Sequence, residues 1–579
     1  MGTRDRRPYL SATTLDQNIL DQSQDSLVQK LQMIADIETP TGTLRVSDRA
    51  LYVGSTFYPN RAVFPNIERT IGEWLAGTLQ FSSLDVVLAN ADKSYSNILP
   101  GGSDYNGFIN RSVVIKIGLG EIESSYKTVF DGFVTDVEGF ERSFLSFKLI
   151  CRNKFDSVNT QIPNQSLITD DFPNLEDEFV GLAVPLVYGN WTTALRREGS
   201  MVPAFPVNGL DPLVNAGLDP PHPNVGDNDL RLVISSTPLN SVDTSTVTLF
   251  RGDQYYIFDS SDISIVPGSN NTILDIAQGN LSIDGNPWIY ESGDEFFVRC
   301  TGTDVIGNDD NIVDQAKDIL IRFGGVTSLE FDSSWSYFAS KAAPAQSAIA
   351  NIASRLWLQE SNKVIDTVAA MLEQVRLEPF INRDNKWSLS SLHFDEIPTN
   401  PSYKIRNWDI SLGSLKIVTS ETNNFNRAQA DYAFDPAKGE NSRSTAIYKN
   451  QDAITQANNK EISKLITFPQ LYVESDVENQ LIEILRLSSG YTEFIECVLT
   501  PRSFLKDIGD YVQLGINIGS VEFSEASNPI VGIIRDLSYL PGSMGIGAKI
   551  WVYQMLNFPG YAGPSGTVAG FDQTITKEV

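Results

Sequence analysis

From Leu31 onward the chain alternates apolar and polar residues in short runs. "LQMIADIE", "GTLRVS", "ALYVGSTFYP", "SLDVVLAN", "RSVVIKIGLG", "TVFDGFVTDVEGF" and "SFLSFKLICRN" each end at Gly, Pro, Asn or Asp. A two-residue period puts every second side chain on one face of a strand, and this punctuation predicts an antiparallel barrel or sandwich. Before it, residues 1–30 read as an N-terminal extension, in which Asp16 to Gln32 has the spacing of a weak amphipathic helix. Residues 31–160 form the first expected barrel. Residues 161–190 read as a linker, closed by the apolar restart strand "VPLVYGNW" (Val184 to Trp191). β texture returns over 191–305 in "LRLVISS", "TVTLF", "YYIFD", "ISIVPG" and "FFVRC", read as an inserted β region.

The period changes to that of a helix after "GNDDN". Val313, Ala316, Leu320 and Phe323 share a face, Asp309 or Asp310 is placed to cap the start, and Gly324-Gly325 stop it. A second helix is expected through Ile349, Ile352, Ala353 and Leu356, and a third through Val364, Val368, Met371, Leu372 and Val375. "FINRDNKWSLSSL" reads as a hairpin turning at Arg383-Asp384-Asn385, so 306–400 is expected to be α+β. Residues 401–556 are expected to form a second barrel carrying one helix, "SDVENQLIEILRLSSG", and 557–579 a flexible tail. The fold class is therefore mainly β with an α+β unit, in a multidomain chain whose two antiparallel barrels flank the insertion and the α+β domain.

Length and composition agree with that plan. A chain of 579 residues exceeds what one core supports. With 41% hydrophobic and 20% charged residues it has apolar surface to bury along its whole length. Net charge is −28, from 72 acidic and 44 basic residues, a field that repels phosphate backbones and argues against specific nucleic-acid binding. Cys151, Cys300 and Cys497 lie far apart and read as buried free thiols, not as a disulfide framework or a CxxC metal pair. The longest apolar runs fall short of a membrane span, and Arg6-Arg7 has no apolar segment behind it, so synthesis in a cytoplasm is expected.

Candidate chemistry is sparse. Asn90, Asp92 and Ser94 begin with calcium-loop spacing, but Tyr95 stands where the sharp turn needs Gly and Gly101 where a bidentate Glu should close the cage. The expectation is a connection whose side chains satisfy their own backbone. Asp309 and Asp310 are better explained as helix caps than as ion ligands. Arg251-Gly252-Asp253 reads as a hairpin turn. His222 and His393 sit beside no nucleophile signature, and two histidines leave little for a zinc centre. Neither "GGVTS" nor "GIGAK" has nucleotide-binding spacing. No catalytic, cofactor-binding or metal-binding residue is expected, and the chain is read as a non-enzymatic scaffold.

One combination goes further. "LDVVLANADKSYSNILPGGSDYNGFINRSVVIKIGLGE" followed by "YKTVFDGFVTDVEGFERSFLSFKLICRNKFDSVN" resembles the N-terminal barrel of baseplate hub proteins of tailed bacteriophages. "VPLVYGNW" looks like the segment that follows that barrel. "FLKDIGDYVQLGI" with "NPIVGIIRDLSYLPG" resembles the family's second barrel, with Gly509-Asp510 at a turn before a strand. The resemblance implies a virion protein at the tail tip, forming a homotrimeric ring whose two barrels per copy present a pseudo-sixfold face to the tail tube and distal tail proteins. Other domains meet the central spike or fibres, and DNA passes through the lumen without specific binding during genome ejection. No cofactor and no membrane anchor are expected from the residues themselves. Competing expectations are a hexameric distal tail ring or adaptor, a tail-associated glycan hydrolase, and a host-surface binder.

Overall fold

A computed structural model describes residues 31–71, 83–97, 99, 107–139, 145–192, 201–209, 229–252, 254–266, 271–277, 282–283, 286–287, 290–305, 310–340, 352–392, 401, 403–420, 425–488, 492–503, 506–518, 521–522, 530–539, 545–552 and 575–578. The fold is mainly β and multidomain, with a nearly closed barrel, two further strongly curved sheets and few helices. The N-terminal extension, whose Asp16 to Gln32 suits a weak amphipathic helix or an arm that orders on a partner, falls outside the described residues, apart from Leu31 and Gln32, which begin the first strand.

The first sheet has seven strands in the spatial order Gly42–Ser47, Leu31–Thr39, Ser112–Leu119, Lys127–Gly139, Ser146–Asn153, Leu84–Ala89 and Ala62–Val63. Its long neighbours are antiparallel. The alternation read from sequence is realised: Val113, Ile115 and Ile117 point inward from one strand, Leu84, Val86 and Leu88 from another. Ser47 draws the two edges together. It bridges to Asn60, its amide donates to the Pro59 carbonyl at 3.0 Å, and its carbonyl accepts from the Arg61 amide at 3.2 Å.

The inserted region forms a second seven-stranded sheet, in the order Gln254–Ile257, Leu239–Arg251, Glu295–Thr303, Val202–Pro206, Leu230–Ser235, Thr272–Ile276 and Ile263–Ile265. Leu230, Leu232, Val247, Leu249, Val298 and Cys300 are fully enclosed in its core.

Helices gather in the next unit. Ile312–Arg322 starts as the hydrophobic spacing requires, but its cap is Asn311, whose side chain accepts from the amides of Val313 and Asp314. This corrects the expectation of Asp309 or Asp310. Asp310 contributes its carbonyl to the Ser354 amide, and Asp309 lies outside the described residues. Val364–Glu373 is helical as expected. The helix expected through Leu356 is not present over the described part. Leu356–Leu358 is a strand, antiparallel to Leu186–Tyr188 of the restart segment. Short apolar runs serve strand and helix equally, and here the tertiary partner decides.

Residues 401–556 hold two separate large sheets. A curved sheet takes Tyr403–Arg406, Tyr511–Gly515, Ile530–Tyr539, Ile546–Val552, Thr492–Leu499 and Lys416–Ser420. Arg427–Asp435 belongs instead to a separate sheet with Glu440–Ser444, Tyr448–Asn450 and Ser463–Phe468. The helix Glu474–Ser488 lays Val477, Leu481, Ile484 and Leu485 into the core shared with Ile312–Arg322 and Val364–Glu373, so this stretch packs with the α+β unit. Of the expected flexible tail, Ile575–Lys577 forms a strand on Tyr448–Asn450. Among the described residues no helix is long and apolar enough to cross a membrane.

Candidate functional site

The two barrel sheets meet through one strand. Ile67–Thr70 leaves the first and pairs antiparallel with Ile530–Tyr539 of the second, with Ile67 opposite Tyr539 and Thr70 opposite Asp536. It continues the line begun by Tyr511–Gly515, which pairs with the first half of the same strand. Main-chain bonds stitch the seam: the Ile71 amide donates to the Arg535 carbonyl at 3.1 Å and the Gly509 amide to the Ile534 carbonyl at 2.8 Å. Gly509 has φ +79°, and a Cβ there would stand 2.8 Å from the ring of Phe380, so the turn before Tyr511 needs glycine for both backbone and space. Below the seam, Ile67 and Ile71 share one core with Ile508, Val512, Ile534 and Leu537, and that core runs on into the first barrel through Val86, Ile115 and Phe147.

A buried ionic cluster crosses this junction. Arg69 Nη1 donates to Asp507 Oδ1 at 2.5 Å and Nη2 to the Ile381 carbonyl at 2.5 Å. The Arg383 amide, from the Leu377–Ile381/Trp387–Ser391 hairpin, donates to Asp507 Oδ2 at 2.6 Å, and its guanidinium lies 3.5 Å from Asp510 Oδ2. Asp510 Oδ2 also accepts from the Asp507 amide at 2.8 Å. On the other side of the hairpin, Glu378 forms an ion pair with Arg535. At its tip, the Asn385 side-chain amide donates to Asp131 of the first barrel at 2.6 Å. One hairpin of the α+β unit thus touches both barrels.

Burial sets the proton affinities. It pushes Asp510 up to about 6, against the pull of Arg383, and raises Glu378 despite Arg535. Burial also opposes the charge on Arg383, but Asp507 and Asp510 outweigh it and hold the guanidinium above its ordinary range. The carboxylates here are engaged by guanidinium and amide donors. The arrangement joins structural units.

The residues singled out in the sequence stand apart from this junction. Asn90 is buried and its Oδ1 accepts from the Tyr95 amide at 2.9 Å. Asp92 pairs with Arg61 at 2.5 Å, and Ser94 Oγ accepts from the same guanidinium at 3.2 Å. The loop's oxygens therefore serve a corner of the barrel, and the hydrogen bonds of Ser94 and Arg61 hold Asp92 down to about 2. Arg251 closes the hairpin to Gln254–Ile257 and is held in a two-pronged bond by Asp294, at 2.7 and 2.6 Å. The cysteines are buried free thiols as expected, with Cys151 and Cys497 each pushed up to about 12 by burial. His222, His393 and Asp253 lie outside the described residues. Among the described residues no group of three or more His, Cys, Asp and Glu is placed to hold a metal ion. The junction itself carries no local sequence signal, because Arg69 and Asp507 are 438 positions apart.

No family model matches the sequence, and no curated protein matches it. Among solved structures, the chain is similar to the tail protein from Neisseria meningitidis MC58, with 9% identity over 92% of this chain and 99% of that one and a TM-score of 0.38. It is also similar to the 43 kDa tail protein of prophage MuSo2 from Shewanella oneidensis, with 9% identity, coverages of 90% and 98%, and a TM-score of 0.38. A chain of the phage P2 baseplate in its activated conformation with Ca gives 10% identity, coverages of 90% and 98%, and a TM-score of 0.23.

Proposed function

We propose that this chain is a structural, non-enzymatic component of a bacteriophage tail: a baseplate hub that assembles as a homotrimeric ring between the tail tube and the tail tip or spike. The observation that carries the reading is the junction just described. Two barrel sheets in one chain share a core, are joined by the strand Ile67–Thr70 and are braced by buried ion pairs, so each copy offers two barrels in a fixed relation. Three such copies set six barrels around an axis, which suits a sixfold tube. The sequence resemblance over Leu31 to Asn159 and Ser475 to Gln554 supports the same assignment. The net charge of −28 suits a lumen through which DNA slides without sticking.

The domain division that goes with this reading keeps 31–160 as the first barrel and 191–305 as an insertion, with the virion tail tip as location. The test is the mass of the purified chain in solution by light scattering. Three copies are expected, and six copies would move the assignment to a distal tail ring.

A further inference from the structure

The sheet of Arg427–Asp435, Glu440–Ser444 and Tyr448–Asn450 has its last edge filled by Ile575–Lys577. The two strands run antiparallel, with Tyr448 opposite Lys577, Lys449 opposite Thr576 and Asn450 opposite Ile575. One residue further on, the Glu578 amide donates to the Ile447 carbonyl at 2.8 Å. Side chains add a charge code to this pairing. Lys577 Nζ donates to Glu478 Oε1, on the helix Glu474–Ser488, at 2.7 Å. The Glu578 carboxylate meets two cations, Arg427 Nη2 at 3.1 Å and Lys449 Nζ at 3.0 Å. The edge thus offers an acid to one residue and two bases to the next, which is the complement of Lys-Glu.

Little of the segment is core. Ile575 is partly buried against the apolar interior, while Thr576, Lys577 and Glu578 are exposed. Main-chain pairing and charge hold it, and both are complete within the segment and its edge. Val552, the last described residue before it, belongs to a different sheet, that of the second barrel, and residues 553–574 lie between. A chain advances at most about 3.5 Å per residue, so a connector of that length spans more than the width of a domain.

Taking the trimeric ring as premise, we infer that Ile575–Glu578 of each copy is the strand that completes this edge on the next copy. A closed ring is built from contacts whose two halves differ, so that every copy gives one half and receives the other. The segment and the edge are two such halves, with matched backbone register and opposite charges. Passing the strand from copy to copy makes the same hydrogen bonds and ion pairs and links the ring through them.

The test places cysteines on a facing pair, Lys449→Cys with Thr576→Cys, in the full-length chain. Facing residues of an antiparallel pair stand about 4.5–5.5 Å apart between Cα atoms, within reach of a disulfide. The native cysteines are buried. After oxidation, a denaturing gel without reductant is expected to show two-chain and three-chain bands. A disulfide confined to single chains, or no disulfide, would overturn the inference. In the same background Lys577→Glu sets two acids together and is expected to remove most of the multi-chain product, and adding Glu478→Lys to restore it. Product that ignores both substitutions would mark the cross-link as random collision and overturn the inference too. Light scattering on the wild type separates this from the ring itself. Three copies with single-chain disulfides leave the ring and remove the exchange, six copies with multi-chain disulfides keep the exchange and remove the trimer, and a single copy removes both.

Discussion

Arg69 and Asp507 stand 438 residues apart in the chain and 2.5 Å apart in the fold, with side chains 9% and 6% exposed. The pair ties a strand borrowed from the first barrel to the turn that opens the second. A buried ion pair gains little over an apolar pair of equal volume, but losing one partner strands the other charge. Arg69→Met or Asp507→Leu alone is expected to cost about 3–5 kcal/mol in chemical denaturation, and the double variant to recover much of the loss. Additive losses would show that the two side chains do not act as a pair.

Asp510 gives the junction a pH dependence of known sign. Its folded pKa, about 6, lies above the ordinary aspartate value, so the folded state holds the proton more tightly. The stability it contributes is complete below about pH 4 and is lost as pH rises through about 6. Asp510→Asn cannot ionise. Its stability relative to the wild type is expected to rise by up to about 1.4 kcal/mol per pH unit between pH 4 and 6 and then level off, as read from paired denaturation curves.

Gly302 marks the close approach of the insertion to the restart strand. A Cβ there would stand 2.5 Å from Tyr188 Cα and 2.7 Å from the Gly189 amide nitrogen, both backbone atoms that cannot turn aside. Gly302→Ala is expected to lower stability by about 1–3 kcal/mol. A melting temperature equal to the wild type would show that this seam gives way easily.

The Asn90–Ser94 corner makes a prediction about metal. Its oxygens are engaged by Arg61 and by the loop's own amides, so calcium chloride followed by chelator is expected to leave the melting temperature unchanged. A saturable rise with calcium would reinstate the loop as an ion site.

Much of the β architecture was legible because half-buried strands write their two faces into the sequence. The strands around Val86, Ile115 and Leu149 follow the alternation residue by residue. Legibility failed where the deciding partner was distant. Leu356–Leu358 has apolar residues that suit either period, and its pairing with Leu186–Tyr188 makes it a strand. The Glu474–Ser488 helix was visible by spacing, but nothing local says that its apolar face turns to Arg427–Asp435 and away from the second barrel. "IERT", four residues with one buried aliphatic, gives no hint that it completes another sheet. The junction depends on such long-range meetings, and so escaped a reading made along the chain.

Class averages from electron microscopy of the purified assembly are the sharpest test of the proposed trimeric ring with two braced barrels per copy. Six barrel-sized densities around an open centre, alternating in two kinds under threefold symmetry, are expected. Six identical subunits around the axis, or a compact particle with no central opening, would contradict it.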